Sequence, residues 1–141
     1  MIGKICSRPV VTVQPDDLVQ EAAHLMRTRN VGAVVVVSDG SPVGLLTDRD
    51  IAVEVVARGR DATTTRVGDV MKKHPTVIRE DTSIFAAARV FGRKGVRRLP
   101  VVSGTGALVG IVSLDDLLML LGGEMGQIAE GLASRLVRGH V

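Results

Sequence analysis

The sequence predicts an α/β (α+β) fold: two tandem β-α-β-β-α units packed through their sheets with pseudo-two-fold symmetry, followed by a C-terminal helical tail. Three observations carry this expectation. The chain repeats itself, each half shows the same order of apolar patterns, and each half holds a turn signal between two Val/Leu-rich runs.

The repeat is read directly. After a shift of 65 positions, Ile2-Gly3-Lys4-Ile5-Cys6 falls on Val67-Gly68-Asp69-Val70-Met71. The register holds through Asp16 on Asp81, Ala22-Ala23 on Ala87-Ala88, and Val36-Val37-Ser38 on Val101-Val102-Ser103. One extra residue then enters the second copy's turn, after which Val43-Gly44 matches Val109-Gly110 and Asp50 matches Asp116.

Each copy opens with a short extended run, at 10–13 and 76–78. A helix is expected near 17–29 and 83–94, because Val19, Ala22, Ala23 and Met26, and Ile84, Ala87, Ala88 and Phe91, recur at helical spacing. Asp16 and Asp81 read as signals for the helix starts. Two strands follow in each copy, 33–38 with 42–47 and 99–103 with 107–113. Asp39-Gly40-Ser41 and Gly104-Thr105-Gly106 supply the hairpin turns. A second helix starts at Asp48 or Leu114. The expected organisation is a first repeat over 2–58, a polar linker over 59–66, a second repeat over 67–122 and a tail over 123–141. A repeat of this size buries too little surface to be comfortably stable alone, so the copies should pack on each other.

Composition narrows the function classes. The chain is 45% hydrophobic and 23% charged, which suits a packed core and not a disordered segment. A formal net charge of +3 is too weak to imply nucleic-acid binding, and with only Phe85 and Phe91 as aromatics there is little for unpaired bases to stack on. Cys6 is the only cysteine, so no intramolecular disulfide can form, which fits a reducing, cytoplasmic setting. Its repeat partner is Met71, so a small buried hydrophobe is the favoured reading of Cys6. Met1–Cys6 lacks the apolar run of a signal peptide, and no stretch approaches the about 18 apolar residues that span a bilayer. His24, His74 and His140 show no metal-ligand spacing, so no metal is expected. His24 falls on Arg89 and belongs on a polar helix face. No nucleophile comes with a visible base and orienting group, so no catalytic set and no enzyme activity are expected.

The residues with binding chemistry lie where the last strand of each copy runs into its second helix. Gly44-Leu45-Leu46-Thr47-Asp48-Arg49-Asp50 and Gly110-Ile111-Val112-Ser113-Leu114-Asp115-Asp116 share the pattern G-h-h-[ST]-x-x-D, with h apolar. A hydroxyl followed three residues later by an acid is also a helix capping box, so capping alone accounts for the motif as well as binding does. Duplication would copy a cap too. The binding reading uses the same geometry: a carboxylate at a strand-to-helix corner can accept hydrogen bonds from both hydroxyls of a ribose, and a helix N-terminus favours anions.

The duplicated unit with this motif resembles the CBS-domain pair, the cystathionine-β-synthase-type repeats also called a Bateman module. The resemblance covers roughly residues 2–122, and Leu46-Thr47-Asp48-Arg49-Asp50-Ile51 and Val96-Arg97-Arg98-Leu99-Pro100-Val101 are typical of it. It implies a regulatory module that binds AMP, ADP or ATP, or another adenosyl ligand, in the clefts between the repeats, with no cofactor required. Thr47, Asp50, Ser113 and Asp116 would then contact ribose. Val11, Thr12, Thr76 and Val77 would meet adenine through their backbone, and Arg97 and Arg98 would meet phosphate. The guanidinium fork suits phosphate because it donates two hydrogen bonds at once. The copies differ here: Gly32 and Ala33 stand where the second copy has Arg97 and Arg98, so the two clefts are not expected to be equivalent. The family also contains S-adenosylmethionine sensors, and a structural or partner-binding module without nucleotide is the alternative from a different class.

Self-association, as a homodimer, is also expected, besides an effector protein that the sequence does not name. Leu114, Leu117, Leu118, Met119, Leu120 and Leu121 make the second helix of copy two apolar nearly all round. Such a helix must be buried somewhere, and two-fold dimers are the commonest homo-oligomers. The tail stripe Met125, Ile128, Leu132 and Leu136 could cover part of the same surface, in a helix that Gly126 and Gly131 each weaken by about 1 kcal/mol.

Overall fold

The computed structural model describes residues 1–138, and the side chains of residues 1–135. His140 and the Leu136 side chain lie outside the described residues. The first copy contains β1 (Thr12–Val13), α1 (Val19–Arg29), β2 (Ala33–Ser38), β3 (Ser41–Thr47) and α2, a short α-helix at Asp48–Asp50 continued by a π-helix over Ile51–Val56. The second copy opens with a one-turn helix α3 (Val67–Val70) and strand β4 (Lys72–Lys73) and continues with β5 (Ile78–Arg79), α4 (Ile84–Lys94), β6 (Arg98–Val102), β7 (Leu108–Ser113) and α5 (Leu114–Arg138). The mixed α/β architecture, the two small sheets and the C-terminal helix agree with the sequence expectation.

Alternation explains the sheets. Val34 and Val36 are buried in one cluster with Val13, Val19, Ala22, Met26 and Leu46, and Leu99 and Val101 in another with Ile78, Ala87 and Phe91. Side chains alternate across a strand, so Val35 and Pro100 point to the opposite faces, yet both are buried as well. Strands covered on both faces are what two sheets packed together require. β1 runs parallel to β2, and β2 antiparallel to β3; β5, β6 and β7 repeat that pattern. α1 and α4 both end on a left-handed residue, Asn30 (φ 52°) and Gly95 (φ 63°), at matching repeat positions. These are the residue types that tolerate that conformation at a helix C-terminus.

The helix starts differ from the expectation. Asp16 and Asp81 cap nothing. α4 is capped by Ser83, whose hydroxyl accepts a hydrogen bond from Ala86 N at 3.1 Å, and at α1 Glu21 reaches back to accept one from Leu18 N at 3.3 Å. Each helix simply begins two residues later than the aspartate suggests, and Asp81 instead pairs with Arg79 at 3.2 Å.

The opening segment of each copy packs on the other copy. Ile2 is fully buried in the second copy's cluster, and Val67 is fully buried in the first copy's. Matching hydrogen bonds hold them: Ile2 N donates to Thr82 O and Val67 N to Asp17 O, both at 2.8 Å, and Gly3 N to Glu80 O and Gly68 N to Pro15 O, both at 2.9 Å. β4 pairs with β3, and Ser7 bridges to Ile111 on β7. Two glycines make room for this exchange. A Cβ on Gly44 would collide with Met71 Sδ, and one on Gly110 with Cys6 Sγ. Cys6 is thus a partly buried packing group, as its repeat partner Met71 suggested.

α5 runs unbroken through Gly122, Gly123, Gly126 and Gly131. Its first two turns are anchored by Leu117, which is fully buried, while Met125, Ile128 and Leu132 are exposed. Among the described residues, no helix is long and apolar enough to cross a membrane.

Candidate functional site

Each strand-to-helix corner is fixed to the loop before the second strand of its own copy. Asp48 N donates to Gly32 O at 2.9 Å, and Leu114 N to Arg97 O at 2.8 Å. These bonds set Gly32 and Arg97 beside Thr47 and Ser113. The exchanged opening segments then bring the other copy's backbone to each corner, so two clefts form, each built from both copies.

The first cleft encloses about 360 Å³ and is lined by Val11, Gly32, Arg97, Arg98, Ser113 and Asp116, among others. The Ser113 hydroxyl accepts a hydrogen bond from Asp116 N at 3.0 Å, so half of a capping box is present. The Asp116 side chain is exposed and takes part in no hydrogen bond or ion pair among the described residues. Its carboxylate is available to a ligand. The neighbouring Asp115 is engaged, accepting from Arg97 Nη2 at 3.1 Å.

The second cleft encloses about 470 Å³ and is lined by Thr47, Asp48, Lys72, Thr76, Arg97 and Arg98, among others. Here the capping box is complete: Asp50 N donates to Thr47 Oγ1 at 3.1 Å and Thr47 N to Asp50 Oδ2 at 3.0 Å. Asp50 is only 6% exposed, and its Oδ1 lies 3.6 Å from Lys72 Nζ. Buried this way, Asp50 does not line the cleft.

The structure therefore brings Val11, Ser113, Asp116, Arg97 and Arg98 to one cavity, and Thr47, Thr76, Arg97 and Arg98 to another. Thr12 and Val77 line neither cleft but two other cavities, of about 260 Å³ and 540 Å³, and Asp50 lines none of the four. The arginine pair stands between the clefts and faces both. The basic groups Lys72 and Lys73 on β4 were not singled out from the sequence. A signal was present for Lys72, which the repeat aligns with the uncharged Ser7, whereas Lys73 falls on another cation, Arg8. His24 is exposed on α1, as its alignment with Arg89 suggested. Among the described residues, no cluster of His, Cys, Asp or Glu could hold a metal ion.

A duplicated β-α-β-β-α unit with exchanged opening segments and two inter-copy clefts defines a tandem-repeat module. The CBS domain family model matches residues 2–57 and 67–123, and the chain belongs to the CBS-domain family. The CBS domain-containing protein YhcV of Bacillus subtilis is 44% identical over 108 residues, which cover 77% of this chain and 76% of YhcV. Among solved structures, the CBS domain pair of protein MJ0100 in complex with 5'-methylthioadenosine and S-adenosyl-L-methionine is 26% identical, with a TM-score of 0.77 over 87% of this chain and 96% of that one. CBSX2 in complex with AMP is 25% identical, with a TM-score of 0.74 over 88% and 97%. Some relatives are longer: the match spans 61% of an uncharacterized protein of Methanopyrus kandleri and 22% of the inosine-5'-monophosphate dehydrogenase of Methanocaldococcus jannaschii.

Proposed function

We propose that this chain is a non-catalytic regulatory module that binds an adenine nucleotide or related adenosyl ligand, with the nucleoside seated in the cleft at Ser113 and Asp116. The observation that carries this reading is the Asp116 carboxylate, unengaged and facing a cavity that Arg97 and Arg98 also line. A carboxylate at this corner accepts hydrogen bonds from both ribose hydroxyls. Val11 lines the same cavity and would meet the base, and the guanidinium groups take phosphate. The AMP and S-adenosyl-L-methionine complexes of CBSX2 and MJ0100 support an adenosyl ligand.

The module acts as a homodimer in this reading and passes its ligand state to an effector protein. Val53 and Val56 on α2 and Leu118 and Met119 on α5 are exposed, Met119 by 76%. Apolar groups left exposed this way mark an interface. A cytoplasmic setting suits a chain whose one cysteine is free.

Calorimetry with AMP, ATP and S-adenosylmethionine tests the function. Saturable binding of one of them that Asp116→Ala weakens supports it. Absence of heat and of thermal stabilisation with all three would leave a structural or partner-binding module.

A further inference from the structure

The second cleft shares its arginines with the first but differs in every other charged group. Arg49, Lys72, Lys73, Arg97 and Arg98 line it, against Asp48 alone. In the first cleft the same two arginines face two carboxylates, Asp115 and Asp116. Two of the second cleft's cations are partly compensated, Lys72 by Asp50 and Arg97 by Asp115. Arg49, Lys73 and Arg98 have no ion pair among the described residues.

Its motif carboxylate is also withdrawn from any ligand. Asp50 is buried, with one oxygen taken by Thr47 N and the other beside Lys72. The Thr47 hydroxyl accepts from Asp50 N, and Asp48 Oδ1 accepts from Arg49 N at 2.8 Å. What the first cleft offers through Asp116, the second has withdrawn into its wall. What remains is a concave surface in which Arg49, Lys72, Lys73, Arg97 and Arg98 outnumber the Asp48 carboxylate, and whose combined field favours several closely spaced negative charges.

We propose that the second cleft is a polyphosphate site and not a second nucleoside site. This rests on the reading that the first cleft seats the nucleoside. Because Arg97 and Arg98 face both cavities, the occupant is a chain of phosphate groups that meets the nucleoside site at those arginines. It comes either from the nucleotide in the first cleft or from a free polyphosphate.

Calorimetry on the full chain with adenosine and with tripolyphosphate separates the possibilities. The expected result is one adenosine per chain, bound at least fivefold more weakly by Asp116→Ala, and one tripolyphosphate per chain that binds while adenosine is bound. The double variant Arg49→Gln/Lys73→Gln, at two exposed positions, should weaken tripolyphosphate at least tenfold and leave adenosine and the melting temperature unchanged. ATP that displaces tripolyphosphate identifies the nucleotide's own phosphates as the occupant; ATP that binds beside it identifies a free polyphosphate. Two adenosines per chain, or tripolyphosphate affinity indifferent to the double variant, overturns the proposal. Absence of adenosine binding with tripolyphosphate binding intact counts against the nucleoside reading of the first cleft alone.

Discussion

Arg98 reaches across the pseudo-axis to Gly32: a Cβ on that glycine would stand 3.2 Å from Arg98 Nη2 and 3.2 Å from Asp48 Oδ2. The repeat places Gly32 opposite Arg97 and Ala33 opposite Arg98. The Gly-Ala of one copy and the Arg-Arg of the other are therefore complementary, because the space beside the glycine is where the guanidinium of the other copy lies. A second arginine pair at 32 and 33 would compete with the first for the same volume.

The two aspartates of the repeated motif should respond differently to removal. Asp116→Ala should weaken nucleotide binding by about 1–3 kcal/mol, the range for a lost charged hydrogen-bond partner, with little change in melting temperature. Asp50→Ala should do the reverse. It removes a helix cap worth about 1 kcal/mol and leaves Thr47 N without its acceptor, which lowers the melting temperature by about 2–4 °C per kcal/mol for a chain of this size. Paired calorimetry and thermal melts check both.

Replacing Arg97 and Arg98 by alanine should lower affinity for ATP and AMP tenfold or more and leave adenosine nearly unaffected. The guanidinium groups line the cleft where phosphate would lie, and charge-assisted bonds are the stronger ones. Equal losses for all three ligands would refute a phosphate role.

Met119→Lys should shift a dimer to monomer in light scattering at micromolar concentration. Met119 is 76% exposed, so the lysine costs the isolated fold little. A monomeric parent protein would rule out the interface itself.

In the tail, Gly126→Ala with Gly131→Ala should raise helicity in far-UV circular dichroism. A Cβ at either position meets open space, and each replacement favours helix by about 1 kcal/mol. Unchanged helicity would mean that α5 is already held by contacts on its exposed stripe.

The order of elements was legible because hydrophobic spacing reports which face of a strand or helix is buried, and duplication reports it twice. Val34 and Val36 with Leu99 and Val101 are instances. The exchange of opening segments was not legible. A repeat places Ile2 on Val67 whether each packs on its own copy or on the other. The extent of α5 was obscured by its glycines, which lower helix propensity without blocking helix geometry. The motif stands out in the sequence, yet its pattern is the same whether the carboxylate turns inward, as Asp50 does, or lines a cavity, as Asp116 does. The group that distinguishes them is Lys72, which lies beside Asp50 only because β4 pairs with β3.

The exchanged opening segments also decide how the chain comes apart. Ile2 closes the core of the second copy and Val67 that of the first, so neither copy is complete without sequence from the other side of the 59–66 connection. Cleaving there would give two fragments, each carrying the missing piece of its counterpart. Denaturation should accordingly be a single cooperative event in spite of the duplicated plan.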